Sequence, residues 1–418
     1  MAPRHLVMIV RCFSKEICAW MSNCLTKRRK SPRSFGQRHL RRTAVSSPSD
    51  LPSWFRDRDG DISSILPPLP CVFRTGDLFS TWRDPSTGLA PFVYPLPPLS
   101  NIQVPTFAVL PLVPLATCRT LLLLILGCLF FAVEKLFAVL CLLSPSFVLT
   151  LSSWCTTVFA RCALYLLGFS RLPSERPFTS RTASQKLVRA QIAPGDVIVS
   201  NWSSYVDVIY LAYLYNPIFI VPVPPSTRNS TNSQSVVTGF TRKSPLELIT
   251  SSGHPPYHDS FNIDSLAGWI AKSKRLVRLL VVLPEGTTSN NRAILKFPQL
   301  TPASIGKYDG KVKMYCLALK HEVPTPLKNS ITNPIPTWPW NLPSILKANL
   351  VPILLPFWSP RTLTIRYPRF NALEIDAIDH KCFDRCSELI GSVGKLKQTN
   401  NVGWLDKAEF LKYFQSRH

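Results

Sequence analysis

The sequence predicts an α/β fold: a central, mainly parallel or mixed sheet flanked by helices, preceded by a membrane-embedded helical hairpin. Three observations predict it. After about residue 186, short apolar runs alternate with stretches of helical periodicity, the pattern of strands linked by helical crossovers. The segment "TLLLLILGCLFFAVEKLFAVLCLL" (120–143) is long enough to cross a bilayer, which takes about 20 apolar residues. The chain is also 46% apolar despite 39 prolines in 418 residues, so apolar surface is concentrated somewhere.

Three regions follow. Residues 1–78 are crowded with arginine and lysine, opposed up to residue 49 by Glu16 alone. They read as a disordered basic extension; an arginine-rich, acid-poor start also fits a transit peptide. Residues 79–185 form a membrane-anchoring segment with two apolar helices: Ser144-Pro145-Ser146 separates the first run from a second ending near Phe169. Arg119 before the pair and Arg171, Arg176 and Arg181 after it put both flanks on the cytosolic side. Residues 186–418 hold the α/β domain.

Within that domain, "GDVIVSN" (195–201) reads as a buried strand and residues 206–215 as a helix capped by Ser203 or Ser204, hydroxyls suited to free helix N–H groups. "PIFIVPV" (217–223) is a second strand, followed by a Ser/Thr/Asn-rich surface loop over 224–238. Apolar spacing at 263, 266, 269 and 270 predicts a helix. "VRLLVVL" (277–283), "KVKMYCLAL" (311–319) and "RTLTIRY" (361–367) are strands, and "LDKAEFLKYF" (405–414) is the last helix.

A formal net charge of +24 calls for an anionic partner: a membrane surface, a phosphorylated substrate or nucleic acid. The membrane-length segment and the lack of a nucleic-acid module argue against nucleic acid. The twelve cysteines show no Cys-x-x-Cys pair, so neither a metal site nor a disulfide framework is expected.

Two polar blocks follow strands. "SNWSSYVD" runs from Ser200 to Asp207 and "LPEGTTSNNR" from Leu283 to Arg292. Ligands of open α/β sheets gather beyond the carboxyl ends of strands, so both blocks are expected at one site. The helix N-terminus after Ser204 adds anion-binding N–H groups.

These blocks resemble those of the glycerophospholipid acyltransferases of the 1-acylglycerol-3-phosphate acyltransferase type. That family carries Asn-His-x-x-x-x-Asp and, further on, Phe-Pro-Glu-Gly-Thr. Here the second block stands as Leu283-Pro284-Glu285-Gly286-Thr287. The segments "FSTWRDPSTGLAPFVYP" (79–95) and "IPTWPWN" (335–341) resemble the fungal lysophosphatidic acid branch, so the likeness spans about residues 79–418. It implies a glycerolipid acyltransferase fold, and transfer of an acyl group from acyl-CoA, as co-substrate and with no cofactor, to a lysophospholipid. The implied acceptor is lysophosphatidic acid. The implied place is the endoplasmic reticulum membrane or a lipid droplet, catalytic domain towards the cytosol, with membrane lipids as partners.

By the same resemblance Asn201 and Asp207 match, and Ser203, Glu285, Gly286, Thr287, Arg292 and Lys296 are expected to bind substrate. The cations would take phosphate, and Glu285 a hydroxyl or the cations themselves. The family's general base, a histidine oriented by the aspartate, is here Trp202, and indole accepts no proton at neutral pH. Asp207 walled by Trp202 is one substitute base; His254, His258 beside Asp259, and His321 are others. Gly239–Arg242 stands where the family has a Gly-rich strand ending in Arg. The alternative function is a pseudo-acyltransferase that binds lipid as a membrane or trafficking factor, which Trp202 favours.

Overall fold

The computed structural model describes residues 79–95, 112–140, 145–169, 192–225, 236–257, 263–308, 310–324, 330–336, 361–368, 373–375, 379 and 381–417. The basic extension 1–78, the dipeptide His258-Asp259 and most of the aromatic stretch at 335–341 lie outside them.

The helices, in chain order, are α1 (Leu112–Leu140), α2 (Pro145–Leu166), α3 (Tyr205–Tyr215), α4 (Pro245–Ser251), α5 (Leu266–Arg275), α6 (Pro302–Ile305), α7 (Cys382–Gly394) and α8 (Trp404–Arg417). The strands are β1 (Val197–Ser200), β2 (Ile218–Val223), β3 (Val236–Val237), β4 (Gly239–Lys243), β5 (Ile263–Asp264), β6 (Leu280–Val282), β7 (Ala293–Ile294), β8 (Gln299–Leu300), β9 (Val312–His321), β10 (Leu363–Arg366), β11 (Leu373–Ile375) and β12 (Lys397–Gln398).

An eight-stranded sheet runs β10-β9-β1-β6-β2-β4-β5, with β11 also on β9. Its centre is parallel: β1 pairs with β6 and β9, and β6 with β2. Its margins are antiparallel, β4 on β2, β5 on β4, and β10 and β11 on β9. The mixed sheet flanked by helices is the expected α/β architecture.

The central strands are covered on both faces, so they read as continuous apolar runs rather than alternating ones. Ile198, Phe219, Val281, Leu317 and Leu319 point into one core with Leu164, Val206 and Leu211 of α2 and α3. Val197, Val199, Ile220, Leu280 and Val282 point into the other with Trp269 and Ile270 of α5 and Phe383 and Ile390 of α7. A fully buried aliphatic or aromatic side chain contributes roughly 1.5–3 kcal/mol.

α3 begins where the sequence reading put its cap. The Ser204 side chain accepts from the Val206 N–H, and the Asp207 carboxylate returns to the Ser203 and Ser204 amides. The loop expected over 224–238 is shorter: Val236–Val237 forms β3, paired with β8. β9 runs two residues beyond the expected end, to His321.

α1 and α2 form the expected helical pair. α1 packs on α2 and α2 on α3, which couples the pair to the sheet. Leu121, Leu122, Ile125, Leu129 and Leu136 of α1 are exposed. Among the described residues, one stretch, Pro114–Phe137, is long and apolar enough to cross a membrane.

Residues 79–95, which the sequence grouped with the membrane anchor, pack instead on the last helix. Phe79 and Trp82 lie against Phe410 and Tyr413, with ring centroids 4.9–6.1 Å apart, and Phe92 lies 5.5 Å from Phe410. Asn290 then ties this strap to the second polar block: its Nδ2 donates to Ala90 O and Val93 O, and its N–H to Pro91 O. A chain starting at Phe79 is therefore expected to melt like the full protein. One starting after Pro95 should lose at least about 3 kcal/mol, the burial of Phe92 and its neighbours. Chemical denaturation of the two truncations checks this; equal midpoints would show that the strap is dispensable.

Candidate active site

The two polar blocks meet at the carboxyl ends of β1 and β6, as their positions after strands of an open α/β sheet led one to expect. Trp202 O accepts from the Ser289 N–H at 3.1 Å, and Trp202 N–H donates to Glu285 Oε1 at 3.0 Å. Asn291 Nδ2 donates to Ser203 Oγ at 2.9 Å. A third segment braces them: Asn333 N–H donates to Ser203 O, and Ser204 Oγ to Ile331 O.

At the centre lies Asp207, fully buried. Its Oδ2 accepts from Ser203 N–H, Ser203 Oγ and Ser204 N–H, each at 2.9 Å. Its Oδ1 faces Nε2 of His321 at 2.7 Å, and both side chains are at most 1% exposed. A short contact between a carboxylate and an imidazole is a charge-assisted pair. An imidazole thus reaches Asp207 from the end of β9, not from position 202. Asp207 is not alone against an indole wall, as the sequence suggested, because a ring nitrogen occupies one of its oxygens.

The register explains the meeting. β1 and β9 run parallel with Ser200 opposite Leu317, so the chain leaving β1 and the end of β9 emerge at the same edge. Asn201 staples that edge: its Nδ2 donates to Leu319 O at 2.9 Å and its Oδ1 accepts from Leu319 N–H at 2.8 Å. Asn291 completes it, its Oδ1 accepting from His321 N–H at 2.9 Å and its Nδ2 donating to Leu319 O at 2.8 Å. Four side-chain hydrogen bonds, three to the Leu319 backbone and one to that of His321, therefore hold the end of β9 from which the His321 ring reaches Asp207.

Trp202 is buried on the other side of the turn. Its Nε1 donates to Ser204 O at 3.2 Å, and its ring lines a small groove with Thr241, Lys243, His254, Tyr257 and Gly286. Gly286 has φ +64, and a Cβ there would lie 2.7 Å from the Trp404 ring, so glycine is required for the close approach.

The sequence expected Glu285 to serve substrate or cations. It is 1% exposed, and its two oxygens accept from Trp202 N–H and, at 3.4 Å, Leu295 N–H. It thereby joins the first block to the strand after the second. The cation whose charge reaches it is Lys407 of α8, not Arg292 or Lys296. Lys407 is itself fully buried, donates to Thr288 O and sits over the Phe92 ring. Lys296 is exposed, with its N–H on Val402 O. Arg292 is exposed and lines a cleft together with Asn291 and His321. The Thr287 hydroxyl is buried without a hydrogen-bond partner.

Burial pushes the Glu285 carboxyl up to about 8, outweighing the backbone N–H bonds and Lys407, and burial also holds Lys407 well below its usual range. A carboxyl whose folded pKa is raised binds its proton more tightly folded than unfolded. Its contribution to stability is then present below the unfolded value and lost as pH rises through about 8. Glu285→Gln keeps the shape and cannot ionise. The stability of wild type relative to this variant should therefore fall between about pH 4.5 and pH 8. Denaturation midpoints across that range check it; a constant difference would mean that Glu285 does not titrate there.

Sequence reasoning missed Asn291 and Lys407. Asn291 sat in a Ser-Asn-Asn run that reads as an ordinary turn. Lys407 carried no distinguishing signal, because the same helix also holds Lys412 and Arg417 among acidic and aromatic residues. Among the described residues no group of side chains could hold a metal ion.

A Schizosaccharomyces pombe protein, provisionally named a lysophosphatidic acid:oleoyl-CoA acyltransferase, is 26% identical over 351 residues, covering 81% of this chain and 97% of its own length. That likeness spans the strap, the hairpin and both blocks. That likeness supports a place for the chain among the glycerophospholipid acyltransferases. No family model matches the sequence, and no solved structure matches it. Against that family's motif the chain departs at the base position, where Trp202 stands, and carries against Asp207 an imidazole from β9.

Proposed function

We propose that the protein is a membrane-bound, acyl-CoA-dependent lysophospholipid acyltransferase whose acceptor is lysophosphatidic acid. The observation that carries this reading is the buried His321–Asp207 pair, 2.7 Å apart at the carboxyl edge of the sheet. With Nε2–H donated to the carboxylate, Nδ1 of His321 holds the lone pair. It takes the proton of the acceptor hydroxyl while that oxygen bonds to the thioester carbonyl carbon. The carbon–sulfur bond then breaks, and the leaving thiolate recovers the proton from Nδ1. The products are a phospholipid ester and free coenzyme A. Asp207 fixes the ring and stabilises its transient positive charge.

The relative's name supports the acceptor and thioester, and the apolar stretch Pro114–Phe137 supports anchoring in a membrane. The endoplasmic reticulum or a lipid droplet is the place that fits an enzyme of lysophosphatidic acid. The alternative of a lipid-binding pseudo-acyltransferase rested on Trp202, and the imidazole that reaches Asp207 from His321 counts against it.

The test is acyl transfer by the purified full chain in lipid nanodiscs, with a panel of lysophospholipids and acyl-CoAs. Turnover with lysophosphatidic acid above the other acceptors supports the reading. No transfer to any acceptor sinks it in favour of the lipid-binding alternative.

A further inference from the structure

Acyl transfer creates a charge that the His321–Asp207 pair does not meet. As the acceptor oxygen bonds to the thioester carbon, the carbonyl π pair moves onto the carbonyl oxygen, which becomes an anion. A donor already aimed at that oxygen is commonly the largest single contribution to such a reaction. The donor must share a cavity with Nδ1 of His321, which is buried and has no hydrogen-bond partner, while Nε2 is held by Asp207.

That cavity is the cleft of about 190 Å³ beside His321. Apart from the imidazole, the neutral side-chain donors that line it are Asn290, Asn291, Ser330 and Thr332. Both amides are committed: Asn290 Nδ2 donates to Ala90 O and Val93 O, and Asn291 Nδ2 to Ser203 Oγ and Leu319 O. The hydroxyls are not. Ser330 Oγ accepts from the Thr332 N–H at 3.2 Å and lies 2.6 Å from Thr332 Oγ1. The pair carries one proton for each hydroxyl, and one of these makes the bond between them. Whichever way that bond points, one O–H is left over. Because Ser330 Oγ already accepts from a backbone N–H, donating onward to Thr332 Oγ1 gives a chain in which each bond polarises the next. The spare proton is then that of Thr332, the more buried of the two at 3% exposed. Arg292 and Lys395 lie exposed at the rim of the cleft, where solvent and salt screen their charge.

The neighbours of Thr332 fix its place beside the base. Ile331 O accepts from Ser204 Oγ at 2.9 Å, and Asn333 N–H donates to Ser203 O at 2.9 Å. Ser203 and Ser204 are the residues whose amides hold Asp207. One turn therefore carries both the carboxylate that orients His321 and the two struts on either side of Thr332.

We infer that the Thr332 hydroxyl, polarised by Ser330, is the donor that stabilises the thioester oxyanion. This rests on the acyl-transfer reading above. The Thr332 proton stays on its oxygen throughout. As the tetrahedral carbon collapses, the electron pair on the oxyanion re-forms the carbonyl, the carbon–sulfur bond breaks, and the thiolate takes the proton held on Nδ1 of His321. Ser330 is a positioning residue, acting through Thr332.

The experiment measures kcat, KM and melting midpoint of the full chain in lipid nanodiscs, with lysophosphatidic acid and a long-chain acyl-CoA, for wild type, Thr332→Val, Thr332→Ser and Ser330→Ala. Thr332→Val keeps the shape and removes the donor, so kcat should fall by about 10²–10³. Both KM values should stay within about twofold, because the oxyanion exists only in the transition state. Thr332→Ser restores an O–H and should return kcat to within about fivefold of wild type. Ser330→Ala should fall between the two. The pH profile of Thr332→Val should keep its wild-type position, because Nδ1 remains the base. An active wild type with Thr332→Val at the same kcat sinks this inference alone. So does a kcat in Thr332→Ser as low as in Thr332→Val, which would make the loss one of packing. A shifted pH profile would place Thr332 behind His321, and a rise in KM alone would make it a ground-state contact; either overturns the assignment. Wild type given acyl-CoA without acceptor should release no equivalent of coenzyme A. Stoichiometric release with a gain of acyl mass on the chain would make the hydroxyl a nucleophile and overturn the assignment too. A wild type that transfers no acyl group overturns the proposed function and this inference with it.

Discussion

His321→Gln is expected to lower kcat by about 10²–10⁴, the usual contribution of a positioned proton acceptor, or about 3–5 kcal/mol of transition-state stabilisation. Glutamine can still donate to Asp207 and fills much of the ring's volume, so folding should survive. Its amide has no lone pair basic enough to take a hydroxyl proton. The KM values for both substrates should change little, because the lost interaction forms only as the proton moves. His254→Ala is the comparison: His254 lies in the groove beside Trp202 and should leave kcat within about twofold. Turnover of His321→Gln within twofold of wild type would remove His321 from the chemistry.

Asp207→Asn is expected to cost about 10³–10⁴ in kcat, with a stability loss of only about 1 kcal/mol. The asymmetry comes from the two carboxylate oxygens. Oδ2 caps α3 through Ser203 and Ser204, and an amide oxygen can take over that duty. The amide nitrogen must then face Nε2 of His321, where Oδ1 now sits. It donates, so Nε2 must accept and the ring proton moves to Nδ1. The tautomer that remains has no lone pair toward the cleft. Single-turnover rates and melting curves of the same preparation check this. Loss of both in proportion would mean that Asp207 acts only as a cap.

Trp202→His would restore the family's Asn-His-x-x-x-x-Asp spacing on paper. In the fold Asp207 Oδ1 is already taken by His321 and Oδ2 by three donors, so a histidine at position 202 finds no free carboxylate oxygen. It would also leave a gap where one of the largest fully buried side chains now packs.

Much of the frame was legible along the chain. β1, β2, β6 and β9 are apolar runs because both faces of the sheet are covered, and that burial is written residue by residue. Ser204 and Asp207 announced the start of α3 three residues apart, as a capping box does. The blocks around Asn201 and Glu285 were visible as clusters of polar residues at strand ends. What these polar residues do was not visible. Asn201 and Glu285 spend their side chains on backbone groups of distant strands, and a polar side chain in a sequence looks the same whether it awaits a ligand or staples a turn.

The sequence by itself determined the elements, the cap of α3, the apolar hairpin and the loss of the histidine at position 202. Each depends on residues within a few positions of one another. Only the tertiary structure decided which side chain meets Asp207. His321 lies 114 residues from Asp207, and its arrival depends on β9 pairing parallel to β1 with Ser200 opposite Leu317. Shifting that pairing by one residue would turn the side chains of β9 to the opposite face of the sheet. Such a register is fixed by packing over the whole sheet, and no local pattern around His321 records it.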